Sequence, residues 1–354
     1  MGKRGPVFAF LMVAAMVTAC LALWGSDSPA FAKAEYKWKI QSVWGRGDLS
    51  METLTYFAKR VSERSNGRIE IAVFAEPEIV PLPEVFPACS TGAIEMAHGG
   101  GAIWSMVIPA GDVLFGSVPR IWNMPELSVE EGAKKQREFL FESGAVDLIR
   151  EEFAKHNLHW LDMHTIGASC QLSSKKLNKL EDFKGLKLAD LGGWMGQWHA
   201  ALGWVPVEML PASEMEMALR LGTIDGVEWD LSAITGFGWH KVAPYWISNE
   251  GLMTHGIQDI LINVDAWNKL PDDLKAAVAG AAEDYFHKCN EGYGALMAQI
   301  RDMVKKGELK ESLMDEEFEK AADAAAFKLW DKAASEDPLS AKLISLIKEF
   351  KGIK

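Results

Sequence analysis

The run from Leu180 to Trp229, LEDFKGLKLADLGGWMGQWHAALGWVPVEMLPASEMEMALRLGTIDGVEW, constrains this chain more than any other part. In order it predicts a strand, a glycine-rich turn at Gly192-Gly193, an amphipathic segment, a second strand, a capped helix and a third strand closing on Glu228-Trp229. Met195, Trp198 and Leu202 share one side of the amphipathic segment, as a helical period requires. Ser213 and Glu216 stand as a capping box ahead of the next helix. Strands and helices alternating in this way build a sheet with helices on its faces.

The N-terminal part shows a similar order. Residues 36–44 (YKWKIQSVW) alternate as a strand, and a helix follows with Ser50 as its expected cap. Leu54, Phe57, Ala58 and Val61 fall on one face of that helix, and Gly67 ends it. Ile69, Ile71 and Val73 alternate as a second strand; a short helix at 83–90 leads into IEMAHGGG, a strand running into glycines. This β-α-β-α-β order implies a parallel sheet. Residues 128–158 read as helical and His159–Ile166 as a crossing strand, so a second lobe opens near Gly167. Residues 257–264 return as a strand to the first lobe, and from Pro271 the chain reads almost wholly as helix, the first stretch to about Val304. The expected division is a first lobe over 33–165 with a returning segment at about 256–285, a second lobe over 166–255, and C-terminal helices over 286–354 packing across both.

Residues 1–32 read as an export leader. Lys3 and Arg4 are its basic start, Val7–Leu23 its apolar run, and Ala30-Phe31-Ala32 its small-x-small cleavage site. Val17-Thr18-Ala19-Cys20 offers a competing lipobox, which would leave a lipid-anchored Cys20. About 320 of the 354 residues remain, more than one hydrophobic core usually serves, so two lobes are expected. The net charge of −12 becomes one unit more negative without Lys3, Arg4 and Asp27, which argues against nucleic acid or an anionic membrane as partner. Beyond the leader stand Cys89, Cys170 and Cys289, widely spaced and without a CxxC, a pattern that favours free thiols.

Several local patterns, in one order, resemble the solute-binding proteins of TRAP (tripartite ATP-independent periplasmic) transporters. They are Phe57-Ala58-Lys59-Arg60-Val61 with Ser65-Asn66-Gly67-Arg68, Gly92-Ala93-Ile94-Glu95-Met96 with Gly99, and Asp182-Phe183-Lys184-Gly185-Leu186-Lys187. Gly222-Thr223-Ile224-Asp225-Gly226-Val227-Glu228 and Leu270-Pro271-Asp272-Asp273-Leu274 complete the set, which covers nearly all of residues 36–305. The resemblance implies an α/β, two-lobed periplasmic-binding-protein-like fold with a hinge, a cleft and a helical C-terminal region. It also implies a periplasmic location, a membrane permease as partner and a monomer or homodimer. Glu228-Trp229 and Gly192-Gly193 are similar to the branch that takes keto, hydroxy and aromatic acids. In that family an arginine two residues after the lysine of the GLK strand grips the ligand carboxylate; here the position is Ala189. A second basic position, about twenty residues earlier, is Ser169. The guanidinium fork that would clasp a carboxylate is missing at both places.

Aromatics become the main resource. The chain has fourteen tryptophans, and Trp44, Trp104, Trp194, Trp229 and Trp246 sit at predicted strand ends or loops, where a cleft would be lined. For any one of them packing is the commoner role, but Trp194 and Trp229 hold positions that match the family's cleft. Asp190, Asp225, Glu228 and Asp230 make an acidic rim. Three readings stay open for it: solvated or turn-forming acids, a calcium or sodium ion bridging Glu228 and Asp230 to a ligand carboxylate, or a cationic ligand stacked on tryptophan. Arg46, Lys175 and Lys187 are the remaining positive groups near the cleft, and Arg46 follows the first strand, where it could replace the lost fork. His98 and His164 could each donate one hydrogen bond. His156, His159 and His164 lack the spacing and acid partner of a zinc site.

The residues therefore point to an exported solute-binding protein that closes on a small polar organic molecule, with no catalysis and no cofactor beyond such a cation. The expected ligand contacts are Trp229, Glu228, Trp194, Arg46, His98 and Trp104, with Ser169 and Ala189 enlarging or depolarising the pocket. An exported α/β enzyme and a ligand-sensing partner of a membrane receptor are the rivals; neither GxSxG nor a nucleophile–base pair supports the first.

Overall fold

Two mixed sheets carry the molecule. The computed structural model describes residues 34–124, 126–166, 169–208, 212–248 and 256–353. The expected leader, the Cys20 lipobox, the Gly167 boundary and the Ser213 side chain lie outside the described residues. Among the described residues no helix is long and apolar enough to cross a membrane.

The first sheet has the order β2-β1-β3-β10-β4, built from β1 (Tyr36–Ser42), β2 (Ile69–Phe74), β3 (Met96–Gly100), β4 (Leu158–Thr165) and β10 (Ile257–Asn263). β1 runs parallel to β2 and β3, and β10 lies antiparallel between β3 and β4. Helix α1 (Leu49–Arg64) covers one face, with Leu54, Phe57, Ala58 and Val61 buried on the expected stripe. Its cap is Asp48 rather than Ser50: the Asp48 carboxylate accepts the Ser50 N–H, which places Ser50 inside the first turn. Helices α2 (Val85–Ser90), α3 (Val129–Glu142) and α4 (Ala145–Ala154) add to this half.

The second sheet has the order β11-β9-β5-β8-β6-β7, from β5 (Ser169–Ser173), β6 (Lys187–Asp190), β7 (Val205–Glu208), β8 (Gly226–Asp230), β9 (Tyr245–Ile247) and β11 (Lys310–Ser312). Helix α5 (Gly193–Ala201) follows β6, and α6 (Ala212–Leu221) joins β7 to β8. Between β6 and α5 the backbone turns through Gly192 and Gly193, both at positive φ (70° and 53°), where a Cβ would be strained. The order strand, glycine turn, helix, strand, helix, strand is as the 180–229 pattern predicts.

Helix α7 (Asp272–Lys306) runs past both halves: Tyr285 packs in the cluster under the first sheet and Tyr293 in the cluster under the second. The C-terminal stretch is less uniformly helical than expected, because β11 joins the second sheet as an edge strand before α8 (Glu316–Glu336) and α9 (Pro338–Phe350). Trp330 of α8, with Leu343 and Ile344 of α9, then lies in the same cluster as Phe153 and Trp160 of the first half.

Candidate functional site

A cleft of about 520 Å³, part of it open to solvent, lies between the two sheets. It sits beyond the C-terminal ends of parallel strands in both halves, where such sheets usually take ligands. Trp44 and Asp48 come from the loop after β1, and Phe115 and Gly116 from a short turn of the first half. Glu228, Trp229 and Asp230 end β8, Ser169 opens β5, and Leu191 and Met195 flank the glycine turn. Ile166, Gly256 and Gln258 lie on the segments that pass between the halves. Ser169 faces Asp230, and Gln171 faces Glu228, across the β5–β8 ladder.

The walls are aromatic. Trp44 of one half meets Trp229 of the other edge-to-face, with ring centroids 6.2 Å apart. Trp229 is backed by Trp239 at 5.4 Å and Phe237 at 6.1 Å, which holds its ring in place.

The polar lining is acidic. Among the described residues that line the cleft there is no lysine or arginine. Asp48 and Asp230, one from each half, form matching turns: each lies two residues before a serine whose N–H and hydroxyl it accepts, Ser50 and Ser232 respectively. Tyr293 donates its hydroxyl to the other oxygen of Asp230 at 2.9 Å. Burial drives both carboxyls above the usual carboxylate range, and the charge of Asp230 adds to the rise at Asp48.

Behind Glu228 lies a buried clamp that sequence reasoning missed. His199 of α5 places Nδ1 2.6 Å from Asp190 Oδ2, and Nε2 3.1 Å from Glu228 Oε2 and 2.8 Å from the Gln171 side-chain amide, which turns its oxygen to the ring when the ring is charged. Burial alone would push the imidazole's pKa down, but the charges of Glu228 and Asp190 and the hydrogen bond to Asp190 overcome it and raise it to about 9. Its positive charge serves the two carboxylates, and Asp190 also fixes the glycine turn by accepting the Gly192 N–H at 2.7 Å. Glu228 Oε2 stands at ion-pair distance from His199 but has no aligned hydrogen bond, and Gln258 Oε1 and Trp44 Nε1 are also buried without partners. These are acceptors and a donor that a ligand can satisfy.

The structure brings Trp229, Glu228, Ser169 and Asp230 to the cleft and leaves the other expected contacts outside its lining. Arg46 is exposed and held by Glu78, with Nε and Nη2 2.8 and 2.9 Å from the two carboxylate oxygens, so its fork is already occupied. His98 is fully buried, with His164 and Tyr285 of α7 against its ring. Trp104 is buried and donates to Asp259 at 3.0 Å. Trp194 is half-buried beneath Lys332 of α8, 5.2 Å from ammonium to ring centroid. Ala189 is wholly buried in the second half's core, so its small side chain fills core volume and does not depolarise the pocket. Lys175 pairs with Asp225 at 2.8 Å, which removes both from the expected site, and Trp246 is core. His156 packs on Phe86, and His159 stacks on Trp267.

Residues 40–337 match the family model described as bacterial extracellular solute-binding protein, family 7. The chain belongs to this family. It is a solute-binding protein of the TRAP-transporter type, a transport component, as its ordered motifs imply. A monocarboxylate 2-oxoacid-binding periplasmic protein of Nostoc is 26% identical over 306 residues, covering 85% of this chain and 80% of the relative. A TRAP solute-binding protein of Bordetella bronchiseptica, solved with calcium and picolinate, superimposes with a TM-score of 0.78 at 23% identity over 91% of this chain and 93% of that one. One of Pseudoalteromonas atlantica, with sodium and pyruvate, gives a TM-score of 0.75 at 24% identity, covering 91% and 94%. At these identities the two structures establish the two-lobed fold alone.

Proposed function

We propose that this solute-binding protein captures a small organic acid between Trp44 and Trp229 in the periplasm, holds its carboxylate through a bound cation, and delivers it to a TRAP permease. The observation that carries this reading is the lining itself: Asp48, Glu228 and Asp230 with no lysine or arginine among the described lining residues. A free carboxylate entering that lining would meet carboxyl groups and no cationic side chain. The residues present fit a cation in one respect: Gln258 Oε1 is a buried oxygen without a hydrogen-bond partner and Glu228 Oε2 has only its ion-pair contact with His199, and both are the hard donors that calcium or sodium takes. Among the described residues no three acidic, histidine or cysteine side chains converge into a metal cage, so the acid itself would complete the coordination. The cation would supply the positive charge that an arginine supplies elsewhere in the family. The Bordetella and Pseudoalteromonas proteins, solved with calcium and picolinate and with sodium and pyruvate, support the same pairing.

Capture works by hinge closure. The first lobe (33–165 with 256–285) and the second (166–255) touch the ligand together only when closed, while the helices of 286–354 tie the halves. Binding shifts the population by the ligand's differential affinity for the closed form. The protein acts as a monomer or homodimer without turning its ligand over.

Calorimetric titration of chelator-treated protein with pyruvate and with picolinate, with and without calcium or sodium, tests the reading. Binding that requires the cation and is lost in Glu228→Gln is expected. Cation-independent binding of either acid, or no binding of any organic acid in a wider thermal-shift screen, rejects it. The same acidic lining favours one second reading, a ligand that carries its own ammonium charge between the two indoles. Betaines in that screen, binding without metal, would select it.

A further inference from the structure

We infer that His98 and His164, a buried pair in the first sheet, are positioning residues that hold three lining segments of the cleft, at Trp44, Asp48 and Ile166, in one geometry. The inference rests on reading the cleft as the ligand site, but its test needs no ligand. The two residues belong to β3 and β4, and their rings meet edge to edge across the intervening β10, nearly coplanar, with centroids 5.1 Å apart and planes 12° apart. Both are wholly buried, and their Nε2 atoms lie 2.8 Å from each other.

Hydrogen counting fixes every proton in this chain of contacts. His164 Nδ1 lies 3.1 Å from the Thr165 carbonyl, which only accepts, so Nδ1 carries the hydrogen. In a neutral ring Nε2 is then bare and accepts from His98 Nε2–H. His98 Nδ1 is bare in turn and accepts the hydroxyl of Ser42, 2.9 Å away. The Ser42 oxygen keeps a lone pair for the Trp44 N–H, at 3.0 Å. One directed chain thus runs from the Trp44 N–H to the Thr165 carbonyl. Thr165 precedes Ile166, whose own N–H binds the Gly256 carbonyl at 2.9 Å; Ile166 and Gly256 both line the cleft. A side branch passes through Tyr285 of α7, whose hydroxyl lies 3.4 and 3.5 Å from the two Nε2 atoms and donates to the Ser50 carbonyl at 3.0 Å. Ser50 is the residue that binds Asp48. Burial pushes both imidazoles down, His164 to about 4, so the neutral rings that the count requires are the ones present at neutral pH.

Two measurements on ligand-free protein test this. Nitrogen-15 NMR of histidine-labelled wild type should show His98 with hydrogen on Nε2 and His164 with hydrogen on Nδ1; a charged ring or a reversed tautomer overturns the inference. In protein carrying 5-fluorotryptophan, with the Trp44 fluorine signal assigned through Trp44→Phe, His98→Leu should move that signal while those of Trp204 and Trp330 hold. His98→Asn, whose Oδ1 can accept where Nδ1 did, should bring it most of the way back, whereas His98→Gln should not. An unmoved Trp44 signal, or equal movement of all three tryptophans, overturns the inference, since the second result marks a general loosening. If His98→Leu does not fold, the tautomers and the asparagine variant decide. Failure of pyruvate or picolinate to bind would undo the proposed function and leave these readouts untouched.

Discussion

Replacing His199 by glutamine should flatten the alkaline side of the stability curve. The imidazole is wholly buried, 2.6 Å from Asp190 and 3.1 Å from Glu228, and its pKa stands at about 9 in the fold. In the unfolded chain an imidazole titrates near ~6.5. The folded value lies above the unfolded one, so the fold keeps this proton longer than the open chain does. The resulting stabilisation is complete below the unfolded value and is lost as pH rises to the folded one. A gap of ~2.5 units at ~1.36 kcal/mol per unit corresponds to about 3 kcal/mol lost across that window. Truncation also leaves Asp190 and Glu228 buried without their cation, a change that typically costs 3–5 kcal/mol at about pH 6. Urea unfolding of wild type and His199→Gln at several pH values gives the comparison, and because Asp48 and Asp230 are retained in both, their own titration is shared. The gap between the two proteins should narrow by about 3 kcal/mol from about pH 6.5 to 9. Parallel curves would refute the charged clamp.

Three further outcomes are expected. Trp229→Ala removes one wall of the cleft and the partner of Trp44, and should weaken pyruvate binding in calcium at least ~tenfold, or about 1.4 kcal/mol, by calorimetric titration; unchanged affinity would contradict the site. Ala189→Arg should not improve affinity for a monocarboxylate and should lower the melting temperature, because Ala189 is wholly buried and overpacking a core costs roughly 1–3 kcal/mol before any charge is counted. A large gain in affinity would show that the family's arginine site is still open. On the acid side, the depressed pKa of His164 reverses the sign seen at His199: stability is complete above the unfolded value and falls by ~1.36 kcal/mol per unit as pH drops towards about 4, with His98 adding in the same direction. Tyr285 faces both rings; urea titrations of His164→Phe should lose the His164 share of this slope and keep that of His98.

Local pattern made much of the fold legible. The alternation of Ile69, Ile71 and Val73, the stripe Leu54-Phe57-Ala58-Val61 and the paired glycines 192 and 193 each state a local geometry that packing then kept. Trp229, Glu228 and Asp230 were legible as lining because a strand end after a parallel β-strand has one place to face. What pattern could not show is which distant partner claims a side chain. Arg46 is taken by Glu78, 32 residues on, and Trp104 by Asp259, 155 residues on. His98 looked like a cleft residue because β3 ends at glycines, yet its ring is claimed by His164, 66 residues on, and by Tyr285, 187 residues on. The clamp at His199 left a faint mark, an acid ending β6 and a histidine two turns into the next helix, but its third member comes from β8. Asp48 hid in the same way, passed over for Ser50 as the helix cap, although Asp-Leu-Ser recurs at Asp230-Leu231-Ser232.

The decisive measurement is a crystal structure of the protein grown with pyruvate and calcium. The account predicts one acid molecule between the indoles of Trp44 and Trp229, with the cation joining its carboxylate to Glu228. Density for the acid elsewhere, or in the cleft against a lysine or arginine with no cation beside it, would contradict the account.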